Sequence, residues 1–159
     1  MSTAAYLRRT GICTTDLTTR PADAMFAAIA EAGYAAVQFG FSTVTDTDYT
    51  ADGKIEFPDC KELLKNGTME RIRNAAEAHG IAIAAVNGTF NMAHPDPAVR
   101  VEAVRRFDSF LAASKYLGAS IVSLCSGTRY ADHLWTYDPA NRTDEAWRDM
   151  LDSMCRCTE

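Results

Sequence analysis

The sequence predicts an α/β fold built from four consecutive strand–helix units. Three glycines, Gly33, Gly80 and Gly118, each separate a helical pattern from a short apolar run. Glycine adopts the left-handed conformation that commonly ends a helix, because it carries no Cβ. The apolar runs that follow are typical of strands buried on both faces of a parallel sheet. Strands that alternate with helices imply parallel strands joined by right-handed crossovers.

Each element is predicted from its own local pattern. Pro21 suits the first position of a helix, and Asp96-Pro97 supplies an N-cap followed by a proline. The apolar residues between these starts and the glycines recur at helical spacing, as in Met69, Ile72 and Ala76. The predicted elements in chain order are strand 9–14, helix 21–32, strand 34–40, helix 60–79, strand 81–87, helix 97–117, strand 119–125 and helix 144–156. The second helix could start at about Lys61 or at Thr68.

Length and composition exclude several classes of protein. The 159 residues are 47% hydrophobic, which is enough for one buried core. The net charge of −5 argues against a basic nucleic-acid-binding surface. No apolar run approaches the roughly 18 residues of a membrane span. We expect no secretory signal peptide, so the five cysteines are interpreted as free thiols. Their spacing does not match a zinc site. We therefore expect a cytoplasmic protein that binds neither nucleic acid nor membranes.

Two architectures fit four strand–helix units. One is half of a (β/α)8 barrel, with the parallel strands in the order 1-2-3-4. The other is a small doubly wound binding domain of the flavodoxin type, with the order 2-1-3-4. The segment after the first strand, Cys13–Leu17, contains neither a dinucleotide fingerprint nor a P-loop. Nucleotide binding is therefore disfavoured, while both architectures remain open.

The loop after the third strand contains three candidate binding residues. Ligands of parallel α/β proteins meet the loops that follow the carboxyl ends of the strands. The amides of Asn87 and Asn91 both donate and accept hydrogen bonds, which suits sugar hydroxyls, although both are also common turn residues. His94 could donate to a hydroxyl or a phosphate, or could instead cap the loop against Asp96.

Three more candidates follow other strands. Arg129 could pair with a phosphate, Trp135 could stack on a sugar face, and Gln38 ends the second strand with a polar amide. Alternatively, Arg129 could be a surface arginine without a ligand, and Trp135 could pack against its own loop. No metal or nucleophile motif is present, and the acidic loop 42–59 fits a calcium site poorly. The residues alone therefore indicate a parallel α/β fold suited to a polyol or a phosphate.

Four segments resemble the sugar phosphate isomerase/epimerase family, whose members are xylose-isomerase-like TIM barrels. These segments are Gly11–Cys13, Ala35–Phe39, Gly88–Asp96 and Glu145–Met150. The resemblance implies that residues 1–154 form the N-terminal half of such a barrel. It also implies metal-dependent isomerisation or epimerisation of a sugar or sugar phosphate, with acid–base glutamates.

The resemblance places the metal ligands and the catalytic glutamates on strands five to eight. We therefore expect no catalytic residue and no metal ligand in this chain, and only substrate-side roles for its residues. Residues 155–159 depart from the family pattern and are interpreted as a truncation. The resemblance favours an enzyme, although the 159 residues alone could be inactive. The alternative is a non-catalytic half-barrel that binds a polyol or forms a homodimer through its open barrel edges.

Overall fold

The computed structural model describes residues 10–45, 64–65 and 67–158 of the chain. Within these ranges, four strands alternate with four main helices, and short 3-10 helices lie in the loops. The elements in order are β1 (Gly11–Cys13), α1 (Ala22–Glu31), β2 (Ala36–Phe39), α2 (Thr68–Ala78), β3 (Ala82–Asn87), α3 (Pro97–Tyr116), β4 (Ile121–Ser123) and α4 (Asp144–Arg156).

The strands form one sheet in the order β1-β2-β3-β4. β1 pairs with β2 in parallel, and Gly11 lies opposite Ala36. β2 pairs with β3 in parallel, with a shift of register between Val37 and Gln38. This order confirms half of a (β/α)8 barrel and excludes the doubly wound order 2-1-3-4.

The three predicted helix-ending glycines have positive φ angles of 90°, 66° and 75° at Gly33, Gly80 and Gly118. The residue after each glycine donates its backbone N–H to a carbonyl of the last helical turn, with N···O distances of 2.9–3.2 Å. These bonds are those of the Schellman motif, and they confirm the predicted joints between helices and strands.

The second helix begins at the later of its two predicted starts. It starts at Thr68, which follows Gly67 with a φ of 74°. A residue in the left-handed conformation cannot continue a right-handed helix, so α2 starts beyond it. Leu64 and Lys65 are helical, whereas residues 60–63 and most of the acidic loop 42–59 lie outside the described residues.

The chain divides into two compact units. The first comprises residues Met1–Asn87 and Phe110–Val122, and it contains a buried apolar core. The rings of Phe26 and Phe39 stack with centroids 6.1 Å apart, and Phe41 meets Phe39 edge to face at 5.2 Å. Met25 on α1 and Ile72 on α2 are also fully buried. Aromatic and aliphatic packing therefore holds the first unit together.

The second unit comprises residues Gly88–Ser109 and Ser123–Glu159. Its α4 has the bounds that the sequence predicts, and the Thr143 hydroxyl accepts from the Ala146 N–H at 3.2 Å as an N-cap. Ala146 and Met150 form the buried face of α4. Among the described residues, no helix combines the length and the apolar character needed to cross a membrane.

Candidate functional site

Buried apolar residues anchor the loop between β3 and α3, residues 88–96. Phe90 and Met92 are buried, and the Phe90 ring lies 6.1 Å from the Phe107 ring of α3. The Ser153 hydroxyl of α4 donates to the Met92 carbonyl at 2.9 Å. The polar residues between and beyond these anchors therefore project from a well-supported backbone.

Asn91 joins this loop to the loop that follows β4. Its Oδ1 accepts a hydrogen bond from the Thr128 N–H at 2.8 Å. Asn141 continues the network, because its Oδ1 accepts from the Arg129 N–H at 2.6 Å and its Nδ2 donates to the Thr128 Oγ1 at 3.0 Å. Over the part of the chain that the structure describes, the Asn91 Nδ2 has no acceptor, which leaves it available to a ligand.

Gly127 allows the two loops to approach each other. Its φ is 79°, and a Cβ at this position would overlap the Asn91 Oδ1 and lie 2.8 Å from the Met92 backbone nitrogen. Both the backbone conformation and the lack of space therefore require glycine here.

Arg129 lies in a cluster of paired charges. Its Nη1 donates to the Asp149 Oδ2 at 2.5 Å and to the Ala93 carbonyl at 3.3 Å, and its Nη2 donates to the Glu145 Oε1 at 3.0 Å. Arg100 contacts the other Asp149 oxygen at 3.0 Å. The Arg100 and Arg129 side chains are 12% and 10% exposed, so Asp149 compensates two largely buried guanidinium groups.

Both ring nitrogens of His94 contact backbone groups. The Nδ1 accepts from the Asp96 N–H at 3.0 Å, and the Nε2 lies 3.3 Å from the Ala131 carbonyl. This arrangement fits the neutral tautomer with its proton on Nε2. The bond to Asp96 is the loop-capping alternative that the sequence offered, and the bond to Ala131 adds a tie to the loop after β4.

The other predicted residues lie apart from these loop contacts or in the first unit. Trp135 is 70% exposed, and its backbone N–H donates to the His133 Nδ1 at 3.3 Å. Gln38 lies on β2, where its Oε1 accepts from the Cys13 thiol at 3.8 Å. Asn87 is the last residue of β3 and is half-buried. The structure thus brings Asn91, His94 and Arg129 into one set of loop contacts, and the binding roles of all six residues remain predictions.

A pocket of about 300 Å³ lies within the second unit, beside these loops. Ser126, Gly127 and Asn141 supply polar groups, while Trp147 and Met150 of α4 supply apolar surface. This volume is at the lower end of the roughly 300–1,000 Å³ range of small-molecule sites. A flat indole beside hydroxyl and amide groups suits a sugar, because a sugar ring presents C–H groups on its faces and hydroxyls at its edge.

Two features of the site were not predicted from the sequence: the ion-pair partners of Arg129 and the residues of α4 that line the pocket. Glu145 and Asp149 are four residues apart on α4 and therefore lie on the same face of the helix. That spacing is visible in the sequence, but it does not indicate which arginine the two carboxylates contact. The contact with Arg129 depends on the path of the long loop after β4.

The environment of Cys125, which follows β4, does not favour a nucleophilic role. Burial raises the pKa of the Cys125 thiol, and its Sγ donates to the Phe90 carbonyl at 3.4 Å. A raised pKa disfavours the thiolate, which is the reactive form. Within the described ranges, no three or more His, Cys, Asp or Glu side chains are grouped so that they could hold a metal ion.

A family model described as "Xylose isomerase-like TIM barrel" matches residues 26–159. A comparison with curated proteins found no match. Among solved structures, the chain is similar to apo 3-keto-D-glucoside 4-epimerase, YcjR, from E. coli, with a TM-score of 0.54 and 13% sequence identity. That alignment covers 87% of this chain and 48% of the epimerase, so the chain spans about half the length of the solved structure. At 13% sequence identity, this similarity shows a shared fold and nothing further.

Proposed function

Since the chain belongs to the xylose isomerase-like TIM barrel family, we propose that it binds a sugar or sugar phosphate for isomerisation or epimerisation. The site proposed is formed by the loops that follow β3 and β4. The observation that supports it most is the pair of loops joined by Asn91, beside a pocket of sugar-compatible size. The similarity to a sugar epimerase fold also supports this class of substrate.

Ligand contacts are proposed for groups that the protein has not already used. The Asn91 Nδ2 and the Ser126 hydroxyl would bond to sugar hydroxyls, and the Trp147 indole would pack against the ring. Trp135 is sufficiently exposed for a similar stacking role. His94 would act by holding the two loops, because both of its ring nitrogens contact backbone groups. Gln38 and Asn87 lie in the first unit, and their binding roles remain predictions from the sequence.

The family's reaction implies a divalent metal and acid–base glutamates. The residues that the structure describes bring together no ligand set for such an ion, so we derive no step through a metal held by them. We propose that the metal and the proton-transferring groups come from the part of the barrel that corresponds to strands five to eight. Metal-dependent turnover is accordingly assigned to the complete enzyme, and substrate binding to this chain.

Binding of a panel of aldoses, ketoses and their phosphates to the full chain tests this proposal. The informative variant is Asn91→Asp, which keeps the acceptor for Thr128 and removes the Nδ2 donor. Losing one ligand hydrogen bond should weaken binding of the best panel member about three- to tenfold. Asn74→Asp, at an exposed position on α2, makes the same chemical change elsewhere and should leave binding unchanged.

Two results would contradict the proposal. One is that no panel member binds the wild-type chain, with Mg²⁺ or Mn²⁺ supplied or absent. The other is that Asn91→Asp and Asn74→Asp have the same affinity for the sugar. Turnover by the 159 residues alone would overturn the separate expectation that the catalytic groups lie outside this chain.

We also propose self-association as a second candidate function. Trp147, Leu151 and Met154 form an exposed apolar stripe on α4, at helical spacing and with exposures of 60%, 37% and 42%. Such a stripe favours packing against another protein surface, and a second copy of the chain is the partner we expect. This interface differs from the open barrel edges that the sequence predicts, and dimerisation through those edges remains a prediction. Sedimentation should show a homodimer that Leu151→Lys disrupts, whereas a folded monomer over the whole concentration range would exclude it.

A further inference from the structure

We propose that Arg129 is an anion-binding residue whose site is covered by the chain's own Glu145 carboxylate. In the absence of ligand, Glu145 occupies the position that a phosphate oxygen would take. This inference rests on the proposed function and narrows its substrate class to a sugar that carries a phosphate. The cover would be displaced when that phosphate binds.

The two carboxylates on Arg129 differ in how firmly they are held. Asp149 is 23% exposed and contacts Arg129 with one oxygen and Arg100 with the other. Glu145 is 71% exposed and meets the Arg129 Nη2 through a single oxygen. Exposed single contacts of this kind contribute little to stability, whereas a carboxylate shared by two largely buried guanidinium groups is costly to remove. Glu145 is therefore the partner that an incoming anion can replace.

The charges of the cluster favour an anion once Glu145 has moved away. With Glu145 in place, two arginines face two carboxylates. Without it, Arg100 and Arg129 face Asp149 alone, and one positive charge on a side chain nine-tenths buried lacks a partner. A guanidinium group is a planar fork of donors, and a phosphate can engage it through two oxygens where Glu145 uses one.

The second unit also provides space for a ligand beside this pair of residues. The pocket of about 300 Å³ is lined by Ala93, whose carbonyl accepts from Arg129, and by Ala146, which follows Glu145 in the chain. Ser126 and Gly127 line the same pocket. Arg129 does not itself line the pocket, so the phosphate substituent of a bound sugar would have to extend from the pocket past Ala93 towards it. Glu145 is on the first turn of α4 and largely in solvent, so its side chain can rotate away without disturbing the buried face of the helix.

The test compares the affinities of Glu145→Gln and the wild-type chain for three probes at constant ionic strength. The probes are inorganic phosphate, D-glucose 6-phosphate and D-glucose. Removing the competing carboxylate should tighten binding of both phosphate probes about fivefold, the factor that corresponds to an exposed ion pair. Binding of D-glucose should not change. Inorganic phosphate isolates the oxyanion chemistry, and the two sugars report whether the rest of the molecule contributes.

The matched control is Glu102→Gln, because it removes the same charge from another glutamate of the second unit. Glu102 contacts Arg105 and Arg106 along the exposed side of α3. Its substitution should leave all three affinities unchanged. Equal tightening in both variants would reduce the effect to net charge and overturn the proposal. Unchanged phosphate affinity in Glu145→Gln would also overturn it.

The outcomes separate this inference from the proposed function. Inorganic phosphate could bind Glu145→Gln more tightly than it binds the wild type, while D-glucose does not bind and D-glucose 6-phosphate binds no more tightly than inorganic phosphate. In that case the anion site stands and the sugar-binding function fails. If D-glucose 6-phosphate binds the wild type and Glu145→Gln alike, the function stands and the covering role of Glu145 is wrong. Glu145→Asp, which keeps the charge on a shorter side chain, should have an intermediate phosphate affinity and provides a second test of displacement.

Discussion

The two compact units of the chain are stabilised by different interactions. In the first, fully buried apolar side chains dominate, and the rings of Phe26, Phe39 and Phe41 contact one another. In the second, polar contacts stand out, above all that of Arg129 with Asp149 of α4 and that of Asn91 with Thr128 between the two loops. Apolar packing tolerates many arrangements of similar volume, whereas charged and amide pairs require particular atoms at particular distances. The second unit is therefore the better place for selective binding.

Truncation of the aromatic core should have the largest effect on stability. Phe39→Ala removes a fully buried ring that contacts two others, and we expect it to lower the free energy of unfolding by about 3–5 kcal/mol. Phe39→Leu retains most of the apolar volume and should cost much less. Urea unfolding of both variants checks the difference. Equal losses in both would indicate that ring packing does not stabilise the first unit.

Breaking the charge cluster should have the next largest effect. Asp149→Asn removes the carboxylate shared by Arg100 and Arg129, and we expect a loss of about 2–4 kcal/mol because both guanidinium groups are largely buried. Asp152→Asn is the matched control, since Asp152 pairs with Arg156 on the exposed side of the same helix. Its expected effect is below about 1 kcal/mol. Similar losses in the two variants would contradict a stabilising role for the cluster.

The smallest effect concerns the pH dependence of stability. Hydrogen bonds from Arg105 and Arg106 lower the pKa of Glu102 from 4.5 to about 2. A carboxyl group with a lower pKa in the folded state stabilises the protein above the pKa of the unfolded chain, and it loses that contribution as pH falls through the folded pKa. The contribution of Glu102 is therefore complete above about pH 4.5 and disappears towards pH 2.

Glu102→Gln should accordingly lose less stability than the wild type on acidification from pH 5 to pH 2. Urea unfolding at several pH values measures this difference, which should be small because the pair lies on an exposed helix surface. Identical acid sensitivity in the two proteins would show that the Glu102 contacts with Arg105 and Arg106 contribute nothing in solution.

The fold could be predicted from the sequence because its signals are local. Gly33, Gly80 and Gly118 mark helix ends, and Asp96 precedes α3 as a cap whose Oδ1 accepts from the Ala98 N–H. For the start of α2 the sequence left Lys61 and Thr68 as alternatives, and the left-handed φ of Gly67 makes Thr68 the first helical residue. The strand order needed more than local signals, since both candidate orders follow from the same alternation of elements, and the resemblance to a barrel family favoured the observed one.

The site was only partly predictable because its contacts join distant positions. Asn91, His94 and Arg129 were singled out by residue type and by their place after a strand. Their partners Thr128, Ala131 and Asp149 could not be paired with them, since each contact spans 20 residues or more of chain. No periodicity specifies such pairs. The compensation of Arg129 by two carboxylates of α4 became evident only from the structure.

The loops after β3 and β4 are proposed to bind a sugar phosphate. Titration of the ¹⁵N-labelled full chain with D-glucose 6-phosphate and with a panel of ketose phosphates tests this proposal most directly. We expect at least one member to shift the backbone amide signals of Asn91, Gly127 and Arg129, with smaller changes on α1 and α2. Saturable shifts confined to the first unit, or no shifts with any member, would contradict it.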